Sequence, residues 1–471
     1  MNNFDNATLP SSRALELNNL GATLHSQGKI GAAYMHWLAA LTIEPENNMF
    51  LQNTSAALIA MELYEMAAVV SRKAIKIDKN NQHSLSNYGV ALLGMRQFKE
   101  SREIFEKIVN KINNVPGFWH NYGLALYMSG MFWKAAEALK KSLVLQPDMI
   151  QVQSDYALSL MATGDLGNGL REYEIRWKTL YKSKIWDLGI PEWQGETLEG
   201  KNILIHHEQG FGDSLMLCRF INDARMLGAN VTIAVPEELI RLFEENFSYA
   251  KVINWESSDI NAEEFDFHSP MLSLMRWLNI KSIEDVVYFG SYLEAKSTVV
   301  NKGAFQTKLK IGLCWASGDH GAALRKRRRK LSLKSFLPLL EIPNVSLISL
   351  QKGDESNEIE AIGALGFIWN PMSRVDDFLG TAEVINDLDL VISVDSAVAH
   401  LAGVMGKPVL MLGPAPRCWR WWTKTNGSPW YKNMKIYSQS QIGSWTDAIE
   451  NVINQVKYLS DSLDKVNVAA E

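Results

Sequence analysis

The chain has 471 residues, which is too long for a single hydrophobic core and predicts two or three domains. Its formal net charge of −5 argues against a dedicated nucleic-acid binder, and no apolar stretch reaches the roughly 18 residues of a membrane span. The polar N-terminus lacks a signal sequence, and the three cysteines, 96 and 104 positions apart, form no metal or disulfide framework. We therefore expect a protein of the reducing cytoplasm.

The first 180 residues repeat with a period of 34. Small residues recur at this interval in two columns, Gly21, Ser55, Gly89, Gly123 and Ala157, and Ala33, Ala67, Ser101, Ala135 and Gly169. Bulky residues follow at Trp37, Phe105, Leu139 and Tyr173, and Ser71 is the exception. The pattern resembles tetratricopeptide repeats and predicts about five of them over residues 1–180. Their concave face, within residues 14–180, is expected to bind a peptide or protein, and the alternative is a scaffold or oligomerisation element.

Residues 181–200, with Pro191 and three glycines, predict a linker. An N-lobe, residues 201–300, then opens with a strand that ends at His206, a loop over 207–213 and a helix, before the next strand at 231–235. Leu215 stands where a dinucleotide fingerprint has its third glycine, so NAD and FAD are disfavoured. His206 and His207 point to opposite faces of the strand, so a shared metal ion is disfavoured as well.

A C-lobe, residues 301–471, begins with a strand at 310–315. Six positive residues, Arg325 to Lys330, come before a Leu-rich segment at 333–340 that we expect to be helical. A strand at 345–351 and a helix that runs through Ile385 come next.

The segment 391–414 then reads as a βαβ unit. Asp395 and Ser396 are good N-cap residues for its helix. The start of a helix at a strand's carboxyl end is where open parallel sheets bind anions. The Trp-rich stretches 418–422 and 428–431 read either as core packing or as a stacking surface for a base or sugar, and 445–458 predicts a final amphipathic helix.

Several motifs of these lobes resemble the heptosyltransferase-like glycosyltransferases, in particular members linked to tetratricopeptide repeats. The carrying motifs are Glu-Gln-Gly-Phe-Gly-Asp at 208–213, Phe-Asp-Phe-His-Ser-Pro-Met-Leu-Ser-Leu at 265–274, Asp-Phe-Leu-Gly-Thr-Ala at 377–382, Asp-Ser-Ala-Val-Ala-His-Leu-Ala at 395–402, Trp-Arg-Trp at 419–421 and Ser-Pro-Trp-Tyr at 428–431. The resemblance implies an α + α/β chain in which the repeats precede a GT-B fold of two Rossmann-like lobes.

The resemblance also assigns roles to residues. It implies that Asp213 is the catalytic base, and His207 and Glu208 on the same loop are alternatives. The donor-binding residues that it implies, together with the glycine loop, are Gly210, Gly212, Arg329, Lys330, Thr381, Asp395, Ser396 and His400. No metal ion is expected, because the cleft-facing loops carry no convincing Asp-x-Asp or His/Cys ligand set. No cofactor is expected, because the nucleotide sugar is a substrate.

The implied activity is metal-independent, inverting transfer of a sugar from a nucleotide donor to Ser or Thr of a protein, with flagellin as the expected acceptor. One alternative is an enzyme that acts on a lipopolysaccharide or another glycan and uses its repeats for oligomerisation. A third is a non-catalytic interaction scaffold, because a fold alone does not fix a function.

Overall fold

The structure is a computed structural model that describes residues 11–178, 187–257, 260–287, 290–296, 309–318, 329–421 and 425–468. Part of the predicted linker, the first four residues of the basic run and Trp422 lie outside these ranges. The described chain divides into two compact units, and the division falls between Tyr156 and Ala157.

The predicted N-terminal helical repeats are confirmed as a series of antiparallel helix pairs. The helices are α1 Ser12–Ser26, α2 Ile30–Ile43, α3 Asn48–Ala60, α4 Tyr64–Ile77, α5 Gln82–Gly94, α6 Phe98–Lys111, α7 Pro116–Met128, α8 Phe132–Leu145, α9 Ile150–Thr163 and α10 Leu166–Tyr173. Asn47 and Asn81, one period apart, cap the first helix of their repeats by accepting backbone N–H groups.

The glycines of the first column of small residues have a direct packing role in the first unit. A Cβ at Gly21 would lie 2.6 Å from Trp37, one at Gly89 2.7 Å from Phe105, and one at Gly123 2.6 Å from Leu139. Each glycine therefore makes room for the bulky residue 16 positions later. The exception in the pattern has its own explanation, because the hydroxyls of Ser55 and Ser71 are hydrogen-bonded at 2.6 Å.

The turn inside each repeat also recurs with the period. The residues with positive φ at this turn are Gly28, Glu62, Arg96, Gly130 and Gly164, with φ between 60° and 94°. Only three of the five are glycine, although left-handed backbone is unfavourable for other L-residues. The sequence pattern did not reveal this column, because Glu62 and Arg96 interrupt the glycines.

Side-chain amides link the first helices of successive repeats. Asn53 Nδ2 donates to Asn18 Oδ1 at 2.8 Å, and Asn87 Nδ2 donates to the carbonyl of Gln52 at 3.0 Å. His120 and Asp155 continue the series with a contact of 2.9 Å. The residues of this polar column, Asn19, Asn53, Asn87, Asn121 and Asp155, are spaced by the same 34 positions.

The second unit contains two parallel sheets. The first, inside the N-lobe, has the order β3-β2-β1-β4. Its elements are β1 Asn202–His206, α11 Phe211–Leu217, α12 Arg219–Met226, β2 Asn230–Val235, α13 Glu237–Asn246, β3 Lys251–Asn254, β4 Phe267–Pro270 and α14 Met271–Trp277. The strands β2 and β3 follow β1 on one side of it, and β4 pairs with β1 on the other side. The strand order therefore reverses at β1.

The second sheet, inside the C-lobe, has the order β10-β9-β8-β5-β6-β7. Its elements are β5 Leu309–Cys314, β6 Val345–Ser349, α15 Glu358–Ala361, β7 Ile368–Trp369, α16 Phe378–Asn386, β8 Leu390–Val394, α17 Ala397–Val404, β9 Val409–Gly413, β10 Met434–Ser438 and α18 Thr446–Val468. The strand order reverses between β5 and β8. Ligands of open parallel sheets bind beside such a reversal, at the carboxyl ends of the strands.

Several elements differ from the sequence expectations. The loop expected over 207–213 ends at Gly210, because Phe211, Gly212 and Asp213 form the first turn of α11. The Leu-rich segment forms a 3₁₀ helix over Leu333–Glu341, because Pro338 inside it has no N–H to donate. The family motif over 265–274 implies a strand and a loop, but the residues after β4 begin the helix α14. The last helix, α18, extends ten residues beyond its predicted end at 458. Within the part of the chain that the structure describes, no helix combines the length and the apolarity that a membrane crossing would need.

Candidate functional site

The two lobes meet where α11 and α17 pack together in the second unit. The helix α11 follows the carboxyl end of β1, and α17 follows that of β8. Gly212 permits this approach, because a Cβ there would lie only 2.7 Å from Cδ2 of His400. Two of the predicted donor-binding residues are therefore in contact with each other, one from each lobe.

Asp213 is the residue that joins the lobes electrostatically. Its Oδ1 accepts a hydrogen bond from Nε of Arg420 at 2.6 Å and lies 2.5 Å from Nη2 of the same guanidinium. Nη2 also donates to Oε1 of Gln209 at 3.1 Å. Oδ2 faces the backbone N–H of Gly210 at 3.4 Å, so Asp213 also caps α11. The side chain of Asp213 keeps 13% of its surface exposed.

Around His400, aromatic rings fill the contact between the lobes. Its ring stacks on Trp421 with centroids 4.7 Å apart, and its Nδ1 is hydrogen-bonded to the hydroxyl of Tyr431 at 2.7 Å. Burial lowers the pKa of His400 to about 4, against the opposing influence of Asp395 and Asp213. The imidazole is therefore neutral near pH 7 and packs between the lobes.

The N-terminus of α17 carries the predicted anion site. Ser396 caps the helix by accepting the N–H of Ala399, and its hydroxyl is also 2.8 Å from that of Ser393. Arg329 reaches the same turn, with Nη1 3.3 Å from the carbonyl of Asp395 and 3.8 Å from its Oδ2. Lys330 points elsewhere and pairs with Glu355 at 3.0 Å. Of these two basic residues, the structure brings only Arg329 to α17.

The two alternative bases are held in other interactions. Glu208 is buried and accepts from Nε and Nη2 of Arg176 at 2.8 and 3.2 Å, and from the backbone N–H of Leu272 at 2.8 Å. Burial lowers the pKa of His207 to about 4, and its Nδ1 is 2.6 Å from the hydroxyl of Ser214. Asp213 is thus the most accessible of the three candidates.

Thr381 and Gly210 have local structural roles. Thr381 is buried in α16, and its hydroxyl donates to the carbonyl of Asp377 at 2.9 Å. Gly210 is the N-cap residue of α11, and a Cβ there would meet nothing closer than Asp213 Oδ2 at 3.8 Å. Asp377 also receives a hydrogen bond from Arg241 of the N-lobe at 2.8 Å, which is a second polar link between the lobes.

The histidines of β1 lie among other partners. His206 Nε2 is 3.2 Å from His268 Nδ1, and the two rings stack with centroids 5.3 Å apart. Among the residues that the structure describes, no group of three His, Cys, Asp or Glu side chains is arranged to hold a metal ion.

Sequence reasoning missed two arginines that organise the site. Arg420 lies in the Trp-Arg-Trp stretch, for which the sequence predicts packing or stacking, and Arg176 lies directly after α10, at the end of the fifth repeat. Their carboxylate partners are 207 and 32 positions away, and no local pattern signals such distances. A lone arginine inside an aromatic cluster was the only available signal.

Trp421, which stacks on His400, is buried, and its indole N–H finds no acceptor within the described chain. A buried donor without an acceptor costs about 1–3 kcal/mol, so a polar ligand that reaches this N–H group would offset that cost.

No family model matches the chain. Protein FlbA of Caulobacter vibrioides is 29% identical over 349 residues, which cover 68% of this chain and 57% of that protein. The chain thus spans less than two thirds of the length of this relative. Two solved structures are similar to part of the chain. MamA 41-end from Desulfovibrio magneticus RS-1 has a TM-score of 0.31 and 19% identity, covering 35% of this chain and 94% of its own. TTC0263, a thermophilic TPR protein in Thermus thermophilus, has a TM-score of 0.33 and 16% identity, covering 35% of this chain and 90% of its own.

Proposed function

We propose that the second unit is a GT-B glycosyltransferase that transfers a sugar from a nucleotide sugar to a protein. The observation that carries this proposal is the meeting of the loops after β1, β8 and β9 at one polar cluster. Asp213 lies in the first turn of the helix that follows the β1 loop, Ser396 lies in the loop after β8, and Arg420 lies in the segment after β9. Such an arrangement offers a base on one side and an anion site on the other.

Each group has a place in the proposed reaction. The carboxylate of Asp213 takes the proton of the acceptor hydroxyl as its oxygen attacks the anomeric carbon. The bond between that carbon and the phosphate oxygen breaks, and the nucleoside diphosphate leaves. Free N–H groups at the start of α17 and the guanidinium of Arg329 stabilise its charge, so the transfer needs no metal ion. One base and one displacement invert the anomeric configuration.

The repeats would supply the acceptor. Tetratricopeptide-like arrays are protein-interaction modules, and the polar column along the first helices offers hydrogen-bonding groups at regular intervals. On this proposal, the array selects a protein acceptor, with flagellin modified at Ser or Thr as the first to test, and the reaction takes place in the cytoplasm.

The decisive experiment compares cells that carry the wild-type chain, Asp213→Asn or no copy of the gene. Intact-mass spectrometry of flagellin and of other abundant proteins should show a sugar mass only with the wild-type chain. In parallel, the purified protein is incubated with a panel of UDP-, GDP-, ADP-, TDP- and CMP-sugars and the candidate acceptor. An altered glycolipid with unmodified proteins would replace the protein acceptor with a glycan. If proteins and glycolipids are the same in all three kinds of cell and the purified protein transfers no sugar, the remaining interpretation is a non-catalytic interaction scaffold.

A further inference from the structure

Within the part of the chain that the structure describes, the guanidinium of Arg420 has partners on one of its two edges. Its Nε and Nη2 bind Asp213 and Gln209, and the described chain offers no hydrogen-bond or ion-pair partner to Nη1. The side chain is 17% exposed, and its Cζ lies 4.7 Å from the centre of the Trp419 ring, which supports it from one side. A planar fork of five N–H donors that is held on one edge has its other edge available for a phosphate.

The charges around α17 are balanced in this structure. Arg420 is paired with Asp213, and Arg329 is paired with Asp395. All four groups are close enough to His400 to influence its pKa. A diphosphate that arrives here adds about two negative charges in a site that is largely shielded from water. It can first engage the Nη1 edge of Arg420, and it then competes with the aspartates for the two guanidinium groups, because the described part of the cluster holds no other cation to neutralise it.

We propose that Arg420 is a donor-binding residue that exchanges the carboxylate of Asp213 for the diphosphate of the nucleotide sugar. This inference rests on the proposed function and deepens it. In the unliganded site, the ion pair with Arg420 occupies the carboxylate of Asp213. When the diphosphate binds the guanidinium, the carboxylate is released from this hydrogen-bond donor and can accept the proton of the acceptor hydroxyl. The base is thus exposed only when a donor is present. No covalent bond changes in this step, because only hydrogen bonds are exchanged.

The test uses inorganic pyrophosphate as the probe and isothermal titration calorimetry of the full chain. Asp213→Asn keeps the size of the side chain but removes the competing charge, and it should tighten pyrophosphate binding roughly tenfold, as expected for one charge-assisted hydrogen bond. Arg420→Gln should weaken binding by a similar factor. In the double variant Asp213→Asn/Arg420→Gln, the gain from Asp213→Asn should vanish, because the guanidinium that it liberates is no longer there.

Matched controls separate this exchange from a general change of charge. Lys435→Gln removes one positive charge from the exposed face of β10, and Asp266→Asn removes one negative charge near the amino end of β1. Both should bind pyrophosphate like the wild type. The double variant also restores the charge balance of the cluster, so it reports on binding if Arg420→Gln alone folds poorly.

Two results would overturn the exchange. One is a tenfold gain from Asp213→Asn that persists in the Arg420→Gln background, and the other is equal pyrophosphate affinity in wild type and Arg420→Gln. Pyrophosphate carries no sugar, so this outcome is independent of the transferase assay. If the protein transfers sugar but its pyrophosphate affinity does not depend on Arg420, the proposed function is supported and the exchange is wrong. If the variants show the expected pyrophosphate affinities but the protein transfers no sugar, the exchange is supported as a property of an anion site and the proposed function is wrong.

Discussion

Arg176 and Glu208 form a buried ion pair that fastens the end of the fifth repeat to the N-lobe. The guanidinium donates to both carboxylate oxygens at 2.8 and 3.2 Å, and neither side chain is more than 3% exposed. Nη2 also donates to Ser273 at 2.8 Å, and Cζ lies 4.3 Å from the centre of the Trp177 ring. The backbone N–H of Gly167 donates to the carbonyl of Lys281 close by. The end of the fifth repeat is therefore an adapter, because these contacts bind it to the N-lobe.

Glu208→Gln should mainly affect stability. The substitution leaves a buried guanidinium without its bidentate partner, and we expect a loss of about 3 kcal/mol in the free energy of unfolding of the second unit. Urea unfolding followed by tryptophan fluorescence measures it. The paired variant Arg176→Met/Glu208→Met removes both charges and should recover most of the loss. If Glu208→Gln unfolds like the wild type but has lost sugar transfer, Glu208 is the base and the adapter interpretation is wrong.

The local pattern of the sequence predicted most elements of the fold. Small residues at an interval of 34 mark helix pairs, because only such residues fit beneath Trp37 or Phe105. Runs of apolar residues that end at a polar loop mark the strands of parallel sheets. The strand-to-helix pattern also pointed to Asp395 and Ser396 as helix N-cap residues, whereas Asp213 became a candidate through the family resemblance.

The partners of these residues could not be predicted. The pairing of Asp213 with Arg420 depends on how the two sheets pack against each other. The spacing of residues along the chain carries no information about that packing. Lys330 and Arg329 are neighbours in sequence, but they reach Glu355 and Asp395, because alternate residues of an extended segment face opposite sides.

Asp213→Asn should lower the rate of sugar transfer by about 10²–10⁴, the usual cost of losing a general base. The amide keeps the size of the side chain and one acceptor for the N–H of Gly210, so the fold should be preserved. Single-turnover kinetics with the donor found in the panel measure the effect. The control is Asp266→Asn, which makes the same change away from the site. A turnover within a few-fold of wild type would move the base to His207, since Glu208 is engaged by Arg176.

Gly212→Ala should disturb the contact between the lobes. The new methyl group would lie 2.7 Å from Cδ2 of His400, and relief requires a shift of α11 or of the imidazole that Trp421 and Tyr431 hold in place. We expect a loss of about 1–3 kcal/mol, typical of overpacking, in calorimetric unfolding.

Gly210→Ala is the matched comparison for this loop. Its φ of −108° suits any residue, and its new methyl group meets nothing closer than 3.8 Å, so the unfolding free energy should change little. His400→Ala should suppress the effect of Gly212→Ala in a double-mutant cycle. If Gly210→Ala and Gly212→Ala are equally harmful, the close approach to His400 is not the cause.

The stability of the second unit should fall between pH 6.5 and 5. Burial lowers the pKa of His206 to about 3 and the pKa values of His207, His268 and His400 to about 4. The unfolded chain takes up protons near pH 6.5 while the folded chain does not, so the stability present above pH 6.5 is lost as pH falls toward the folded values. Each pKa unit corresponds to about 1.4 kcal/mol.

The carboxyl group of Glu192 opposes this decline in stability and provides a check on it. Burial raises the pKa of Glu192 to about 7, so protonation of this carboxyl stabilises the folded state as pH falls from 7 toward its unfolded value. Urea unfolding at pH 7, 6 and 5 should show a net decline, and Glu192→Gln should make it steeper. His268→Asn should make it shallower. Constant stability across this range would contradict the assignment of neutral, buried histidines.

Gly130→Ala and Gly117→Ala should have opposite effects on the repeat array. Gly130 has φ of 74° at the turn between α7 and α8, where an L-residue is strained, so alanine should cost about 1 kcal/mol. Gly117 lies in the first turn of α7 with open space around it, and alanine there should stabilise by up to about 1 kcal/mol. Glu62→Gly, at the same turn of an earlier repeat, should be neutral to mildly stabilising, because relief of strain is offset by the entropy of the unfolded glycine. Thermal unfolding followed by circular dichroism at 222 nm ranks the three variants. If both alanines shift the midpoint in the same direction, the left-handed turn does not govern the stability of the array.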